Sequence, residues 1–285
     1  MSGVTLSGLE SANSPFWNIH LGWCDDVHVR GIRVVSPPLM VNGSSNADGI
    51  DLDACQRVVV EDSVFDVNDD AVCLKSGVDW FGRTYGRPTK DVLVRNITII
   101  HGEGPAIGSE QSGGVSNVTF EDIFIGAEQV GPVIKSCRGR GGLVENVTFR
   151  NIVGDGVATV APPVGAGQPW PQLWLRMVYP CPNRSRTNAT ATPTFRNILY
   201  ENILLRHGGQ QMSIQGLPES PIRNVRFKNV TFIGSGPPPW PYRNASTWGP
   251  CENVDGSCDR DTPVGSCPPC FHHDHEQQTK GGRSL

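Results

Sequence analysis

A nine-residue segment with apolar residues at alternate positions recurs along the chain and most strongly limits its fold. Period-two alternation of β-branched and aromatic residues is typical of strands, and each segment predicts two short strands joined by a bend. The copies are 26 to 34 residues apart, with one gap of 51, which predicts a solenoid with loops of variable length. The copies begin at Asp26, Arg57, Asp91, Asn117, Asn146, Asn197 and Asn224.

A β-sandwich would also contain many short strands. The asparagine that recurs at the start of the segment argues against a sandwich, because a repeated turn residue is what stacked coils require. We therefore predict an all-β solenoid over residues 1–250, followed by a cysteine-rich C-terminal tail over residues 251–285.

Three aspartates within this repeat are about one turn apart. Asp48 is followed 21 and 22 residues later by Asp69 and Asp70. Residues one turn apart lie on neighbouring strands, about 4.8 Å from each other. Carboxylates this close repel, so at least one pKa rises and the group can hold both a protonated acid and an ionised base. An inverting glycosidase uses such a pair.

The segment from Asn46 to Gly77 resembles the active-site signature of glycoside hydrolase family 28, the polygalacturonases. That signature is N-T-D-G-I-D followed by D-D-x-x-x-x-K-S-G, and Ala47 here replaces the family threonine. The matching residues are Asn46, Asp48, Gly49, Asp51, Asp69, Asp70, Lys75, Ser76 and Gly77. The loop from Ser76 to Pro88 and the C-terminal cysteines, described below, resemble the plant-type branch of the family most closely.

The resemblance implies a right-handed single-stranded parallel β-helix of the pectin-lyase type. It implies hydrolysis of α-1,4-galacturonosyl linkages in pectin with inversion. Asp69 would be the general acid, Asp48 and Asp70 would activate the attacking water, and Asn46 would contact the substrate. The division of roles predicts carboxyl groups about 6.5–9.5 Å apart. The family requires neither a cofactor nor a metal ion.

A histidine before I-G-S-E is often part of the active site in this family. Aligned on I-G-S-E, His101 falls one place early, and Gly102 occupies the expected position. We nevertheless include His101 among the candidate catalytic residues, because histidine titrates near neutral pH. A purely structural role for this histidine is the alternative.

The family binds the uronate carboxylate through an arginine and a lysine two residues apart. The lysine is retained as Lys135, whereas Val133 replaces the arginine and removes bidentate carboxylate recognition. We expect Val133 and Lys135 to face the same way, and Arg138 is a nearby basic residue that would either compensate or lie in a solvated turn. Tyr179 corresponds to a substrate-contacting tyrosine of the family, with a core position as the alternative.

The loop from Ser76 to Pro88 resembles a plant-type S-G-W-D-x-Y-G-x-x-Y-G-R-P loop beside the active site. Its aromatic residues and Arg83 would either contact sugar or fasten the loop. The segment S-P-F-W-N-I-H, residues 14 to 20, resembles a coil that follows a long upstream region in the family. We therefore interpret the chain as an N-terminally truncated family member.

The net charge of −4 argues against nucleic acid as a partner, and we expect a monomer whose partner is pectin or polygalacturonate. Nine cysteines and eight N-x-S/T sequons favour secretion to the extracellular space and cell wall. Residues 1 to 10 lack a signal peptide, and no apolar run reaches the ~20 residues needed to span a membrane. We expect fewer than half of the sequons to carry sugar, since several lie where a turn asparagine is needed.

The cysteines near the C-terminus resemble the plant-type pattern. That resemblance implies that Cys251 pairs with one cysteine of the last cluster, Cys267 or Cys270, and that Cys258 pairs with the other. A zinc site formed with the H-H-D-H run at His272 is the alternative, but the spacing fits no established zinc motif.

Two other functions remain open at this stage. A non-catalytic pectin-binding β-helix is suggested by the missing arginine at Val133, the displaced His101 and the absent N-terminal coils. A calcium-dependent β-helical pectate lyase would use the aspartates to bind Ca²⁺. Release of reducing ends from polygalacturonate distinguishes a hydrolase from a binding protein, whereas unsaturated products and inhibition by a chelator indicate a lyase.

Overall fold

The computed structural model describes residues 1–36, 46–126, 130–155, 171–181, 191–208, 212–234 and 249–274. Strands make up most of these residues, and helix α1 covers Asp79–Tyr85. The strands are β1 Ser2–Ser7, β2 Glu10–Ala12, β3 Ile19–Gly22, β4 Asp25–Arg30, β5 Arg33–Val35, β6 Ile50–Asp53, β7 Gln56–Asp70, β8 Val72–Lys75, β9 Thr89–Glu103, β10 Ala106–Gly108, β11 Val115–Ile125, β12 Val133–Lys135, β13 Leu143–Asp155, β14 Trp174–Arg176, β15 Thr194–Gly208, β16 Ser213–Gln215, β17 Ile222–Gly234, β18 Cys251–Glu252, β19 Val254–Cys258 and β20 His272–His273.

The strands form two parallel sheets, one of 12 strands and one of 8. The larger sheet runs in the order β1-β4-β7-β9-β11-β13-β15-β17-β19-β20, with β2 and β5 paired beside this path. The smaller sheet runs β18-β16-β14-β12-β10-β8-β6-β3. The chain therefore alternates between the sheets and advances one strand in each with every turn, which confirms the predicted parallel β-helix.

Each coil turns at two corners where the backbone is left-handed. The first residue of every predicted segment has φ between 53° and 57°, from Asp26 to Asn224. The sixth residue also has positive φ, as Gly31 in the first segment and as Asn229 (52°) in the last. Asparagine, aspartate and glycine tolerate this conformation better than other residues. The corners therefore explain why these residue types recur and confirm the bend predicted inside each segment.

The corner asparagines form hydrogen-bonded ladders along the outside of the solenoid. The Asn197 amide donates to Asn146 Oδ1 at 3.1 Å and accepts from the Asn224 amide at 2.9 Å. Four sequon asparagines belong to such ladders through their Nδ2 atoms: Asn96, Asn117, Asn146 and Asn229. These four act as turn residues, as expected, while the sequons at Asn42, Asn183, Asn188 and Asn244 lie outside the described residues.

Aromatic side chains at equivalent positions of successive coils pack against one another in the core. Phe120, Phe149, Tyr200 and Phe227 occupy matching positions on four successive coils, and their ring centroids are 5.0 to 5.1 Å apart. All four are buried. Such contacts contribute beyond the area they remove from water.

Three disulfides join Cys137 to Cys181, Cys251 to Cys270 and Cys258 to Cys267. The last two have the pairing that the resemblance implies, and the first was not predicted. The strands after residue 250 pair with both sheets, β18 with β16 and β19 with β17. Within the described ranges, no helix is long and apolar enough to cross a membrane.

Asn197 tests the corner ladder, because it lies outside any sequon and glycosylation cannot confound the result. We expect Asn197→Ala to lower the free energy of unfolding by about 2 kcal/mol, since alanine disfavours positive φ and breaks two ladder hydrogen bonds. Asn197→Gly keeps the conformation and loses only the hydrogen bonds, so its loss should be about half as large. Denaturant titration measures both. Equal losses would show that the left-handed backbone contributes nothing.

Candidate active site

The smaller sheet presents two rows of side chains on its outer face, while the intervening residues enter the core. Strand pairing aligns the residues of each row on successive coils. The first row contains Asp51, Cys73, Ala106, Val133 and Trp174. The second contains Asp53, Lys75, Gly108, Lys135 and Arg176.

The three predicted aspartates meet at one end of these rows. Asp48 immediately precedes Gly49 and β6, and Asp69 and Asp70 end β7. One oxygen from each carboxyl group lies within 4.8 Å of the others. The Gly49 N–H donates to the Asp70 carbonyl at 2.9 Å, and a Cβ on Gly49 would lie 2.3 Å from the Ala71 carbonyl oxygen. Only glycine allows this approach, so Gly49 lets the turn before β6 bring Asp48 against the end of β7.

Lys75 neutralises one side of the cluster. Its Nζ lies 3.3 Å from Asp51, 3.4 Å from Glu110 and 3.7 Å from Asp48, and 4.6 Å from the centroid of the Trp17 ring. Burial raises the pKa of Asp51 to about 7, although Lys75 opposes the shift. Trp17 belongs to the S-P-F-W-N-I-H segment, so that segment covers this lysine.

Lys135 neutralises the other side. Its Nζ lies 3.0 Å from Asp70 and 3.2 Å from Glu103, and 5.6 Å from the centroid of the Tyr179 ring. Lys135 is buried. Burial alone would lower its pKa, but the negative groups around it raise the pKa well above the ordinary lysine value. Lys135 therefore acts as a fixed positive charge beside Asp70.

The three aspartates titrate differently because their surroundings differ. Burial, followed by the charge of Asp70, raises the pKa of Asp48 to about 10 and that of Asp69 to about 6. Burial would also raise the pKa of Asp70, but Lys135 and Lys75 together hold it below the ordinary value. The cluster thus contains protonatable carboxyl groups beside one carboxylate that stays ionised.

Asn46, which the resemblance implies is a substrate contact, lies at the aspartate cluster. Its Nδ2 donates to Asp69 Oδ2 at 3.2 Å, while the Asp70 backbone N–H donates to Asp69 Oδ1 at 2.9 Å. Tyr179 is partly buried and packs on the side of Lys135 and Trp174. Both predicted contact residues therefore lie at the aspartate cluster.

The described contact of His101 is with Asp66 and not with the aspartate cluster. His101 Nδ1 lies 2.7 Å from Asp66 Oδ1. Gly102, at the position expected for the histidine, has φ 121°, and a Cβ there would lie 2.8 Å from the Asp69 carbonyl oxygen. No side chain fits there without rearrangement. The side chain that β9 directs to the aspartates is Glu103, two residues after His101.

Val133 shares a face with Lys135, as expected, but it is buried in a small cluster with Cys73, Ala106 and Trp174. An arginine at position 133 would overpack this cluster. Arg138 cannot compensate, because its guanidinium pairs with both carboxylate oxygens of Glu219.

Sequence reasoning did not single out Arg176 in the same row as Lys135. Its guanidinium lies 5.4 Å from the centroid of the Trp174 ring, and its Nε donates to Gln215 at 3.0 Å. Among the described residues no carboxylate lies within ion-pair distance of Arg176. The alternation of strand β14, in which Leu175 enters the core, is the signal that would have placed it on the outer face.

Helix α1 is fastened beside the cluster by two arginines. Arg83 donates to the carbonyls of Gly139 and Arg140, and Arg140 pairs with Asp79 at 3.3 Å and Glu110 at 2.5 Å. Three aromatic side chains of the helix remain exposed: Trp80, Phe81 and Tyr85. Arg83 thus fastens the loop, and the aromatic rings remain available for contact.

Two groups within the described ranges have the ligand types and spacing to bind a metal ion. They are Asp48, Asp51 and Cys73, and Asp48, Asp69 and Asp70. Lys75 and Lys135 already supply positive charge to both groups, within 3.7 Å of Asp48 and 3.0 Å of Asp70. A bound cation would therefore compete with an ammonium group at each position.

The raised pKa of Asp48 predicts a pH-dependent stability change. A carboxyl group whose folded pKa lies above its unfolded value contributes stability at low pH and loses it as pH rises. Asp48→Asn should therefore be about as stable as the parent near pH 4 and become relatively more stable towards pH 8, by up to about 1.4 kcal/mol per pH unit. Thermal denaturation across this pH range measures the difference.

Asp62→Asn is the matched control. The hydrogen bond from Asn96 lowers the pKa of Asp62, so its substitution should cause no gain as pH rises. A pH-independent difference between Asp48→Asn and the parent would contradict the raised pKa of Asp48.

Residues 1–258 match the family model of Glycosyl hydrolases family 28. The chain is 30% identical over 231 residues to a probable polygalacturonase of Vitis vinifera, covering 80% of this chain and 44% of that protein. It is 23% identical over 276 residues to a polygalacturonase of Prunus persica, covering 93% and 60%. The chain thus spans about half the length of the relatives it matches.

Solved structures with a similar fold include an exopolygalacturonase from Thermotoga maritima, with TM-score 0.67 and 27% identity over 82% of this chain and 48% of that one. A family 28 exopolygalacturonase from Yersinia enterocolitica has TM-score 0.75 and 19% identity, covering 95% and 45%. These neighbours confirm the right-handed parallel β-helix. With the aspartate signature assembled on that fold and the family match extending over residues 1–258, the chain belongs to glycoside hydrolase family 28.

Proposed function

We propose that this protein hydrolyses α-1,4-galacturonosyl linkages of pectin with inversion, using three aspartates. The observation that carries the proposal is the contrast between Asp69 and Asp70. These neighbours lie in one cluster, yet the pKa of Asp69 is raised to about 6 and the pKa of Asp70 is lowered. A general acid and a base side by side are the groups that glycoside hydrolysis needs.

Asp69 is the proposed general acid, because it keeps its proton up to about pH 6 and can transfer it to the glycosidic oxygen. Asp70 is the proposed base, because Lys135 and Lys75 keep it ionised and able to accept a proton from water. Asp48 is the proposed residue that orients the attacking water by hydrogen bonding, because one of its oxygens lies within 4.8 Å of Asp69 and Asp70 and its raised pKa lets it keep a proton in the free protein. Asn46 holds Asp69 from the exposed side.

The spacing of the carboxyl oxygens makes stereochemistry the sharpest test of this mechanism. Inverting enzymes commonly separate their carboxyl groups by about 6.5–9.5 Å and retaining enzymes by about 5–5.5 Å. One oxygen from each of Asp48, Asp69 and Asp70 lies within 4.8 Å of the others, and the configuration of the product decides which of the two mechanisms this cluster uses. Proton NMR of the first anomer formed should show inversion. A retained anomer would assign one aspartate as a nucleophile.

The substrate carboxylate needs a positive partner that the protein has not already used. Lys135 is engaged by Asp70 and Glu103, whereas Arg176 lies in register with Lys135 on the next coil and is partly exposed. A guanidinium binds a carboxylate through two parallel hydrogen bonds. We therefore assign recognition of a uronate carboxylate to Arg176, with Tyr179 and Lys135 beside it.

Substitution of the aspartates tests the catalytic assignment. Asp48→Asn, Asp69→Asn and Asp70→Asn should each lower kcat by at least ~10²-fold, because each removes a group that holds or transfers a proton. Release of reducing ends from polygalacturonate measures this. Asp122→Asn, at an exposed corner of the larger sheet, is the control and should retain parental activity. Near-parental activity in all three active-site variants would exclude the mechanism.

Arg176→Gln tests the carboxylate contact. We expect KM for oligogalacturonates to rise about tenfold with a smaller change in kcat, the size expected when one charge-assisted contact is lost. The difference should shrink with added salt. Arg196→Gln, which removes a surface arginine paired with Glu145, is the control. An equal loss with a neutral oligosaccharide would place Arg176 outside carboxylate recognition.

The two alternative functions, pectin binding without catalysis and pectate lyase activity, predict different products. A pectin-binding protein would release no reducing ends, and a lyase would form unsaturated products and be inhibited by a chelator. We expect hydrolysis that is insensitive to chelator. We further propose that the protein acts as a monomer and that it is located in the extracellular space and cell wall. Its three disulfides support this location, because disulfides are typical of oxidising compartments.

A further inference from the structure

Glu103 is the last residue of β9 and lies against the aspartate cluster, although no family motif in the sequence singles it out. Strand pairing places it opposite Asp70, and its backbone also bridges to Val130. The residue is 6% exposed. A carboxyl group this deeply buried requires a partner for its charge or a proton.

One ammonium group serves two carboxyl groups here. Lys135 Nζ lies 3.0 Å from Asp70 and 3.2 Å from Glu103. A single ammonium group cannot balance two negative charges buried beside it, so one carboxyl group of the pair is favoured in its protonated form. A protonated carboxyl group can donate a hydrogen bond to the ionised one, whereas two carboxylates cannot, because neither has a donor.

The surroundings decide which group holds the proton. Lys135 Nζ lies 3.0 Å from both carboxylate oxygens of Asp70 but contacts Glu103 through one oxygen at 3.2 Å, so Asp70 is the better placed to stay ionised. In agreement, burial raises the pKa of Glu103 to about 8 despite the opposing charge of Lys135, and the pKa of Asp70 is lowered. The other titratable groups that face Glu103 are Asp69 on β7 and Tyr179 after β14. Asp69 is acidic and disfavours a second negative charge at Glu103. Tyr179 adds no positive charge.

We propose that Glu103 is a positioning residue that keeps a proton and donates it in a hydrogen bond to Asp70, so that Asp70 remains an ionised, fixed base. Glu103 does not exchange a proton with the substrate. It supplies the second hydrogen bond that, with Lys135, holds both the charge and the orientation of the Asp70 carboxylate. The role of Asp70 as base rests on the proposed hydrolase function, whereas the proton on Glu103 does not.

Infrared difference spectroscopy tests the proton directly. At pH 7 the spectrum of the parent minus that of Glu103→Gln should contain the carbonyl band of a protonated carboxyl group, because glutamine preserves the neutral donor and leaves the cluster otherwise intact. Glu121→Gln is the control: its carboxylate pairs with Arg150 on the larger sheet, so the difference spectrum should contain only carboxylate bands. Carboxylate bands alone for Glu103→Gln would overturn the proposal, whatever the activity of the protein.

Kinetics of two variants test the positioning. Glu103→Gln should retain kcat on polygalacturonate within about threefold, since the donor to Asp70 is kept. Glu103→Leu should lower kcat by at least about tenfold, the size expected when a hydrogen bond to a charged group is lost. The acidic limb of its pH profile should also move to higher pH, because Asp70 without this donor has a higher pKa. Glutamine should restore the parental limb.

The variants also separate this proposal from its alternatives. A loss of ~10²-fold or more in Glu103→Gln would mean that Glu103 itself transfers a proton, and the proposal would be wrong. A Glu103→Leu variant with parental kcat and an unchanged acidic limb of the pH profile would also contradict the proposal. If the parent releases no reducing ends at all, the hydrolase function fails while the infrared result still decides where the proton lies.

Discussion

Every feature of this protein depends on parallel hydrogen bonding between successive coils, which places residues one turn apart on neighbouring strands about 4.8 Å apart. Equivalent residues of successive coils, which are often of the same type, therefore become direct neighbours. This proximity benefits the aromatic residues of the core, where Phe120, Phe149 and Tyr200 stack in register. It also benefits the corner asparagines, whose amides donate to and accept from the next asparagine. The same spacing is unfavourable for acidic residues.

The aspartate cluster is where the chain uses that unfavourable spacing. Asp48 and Asp70 are buried within reach of Asp69, and burial with mutual repulsion drives the pKa values apart. Two buried lysines from other coils prevent uniform protonation, because Lys135 contacts Asp70 directly while Lys75 contacts the Asp48 side. The geometry of the solenoid therefore places carboxyl groups of raised and lowered pKa side by side, and the lysines determine which of them stays ionised.

The fold was predictable from the repeat, since period-two alternation and corner residues are local signals that every coil repeats. The aspartate cluster was predictable from the separation of 21 and 22 residues between Asp48 and the Asp69–Asp70 pair, because residues about one turn apart lie on neighbouring coils. The position of His101 was not predictable. The register between β7 and β9 shifts on both sides of Asp66, so Asp66 pairs with His101 and Asp70 pairs with Glu103. From Asp66 to Asp70 the chain advances four residues along β7, whereas from His101 to Glu103 it advances only two along β9. Counting residues along the sequence cannot reveal such an irregularity.

Nor could the sequence show which basic residues were already engaged. Lys135 matches the family motif, yet its ammonium is shared between two acidic side chains, and Arg138 is paired with Glu219. Engagement depends on side chains brought together from distant coils. Arg176 is distinguished only by lacking an acidic partner among the described residues, and that property exists only in the folded protein.

The distribution of cysteines divides the solenoid into two mechanically different parts. Cys24, Cys55 and Cys73 are buried free thiols, and all three disulfides involve residues from Cys137 onwards. The coils that carry the aspartates therefore have no covalent cross-link, while the later coils are tied by disulfides. In a structure whose coils contact chiefly their neighbours, opening can proceed from one end without disrupting the other. The thiols that such opening would uncover all lie on the side without disulfides, so this protein carries its own chemical reporter of how far the coils that carry the aspartates have loosened.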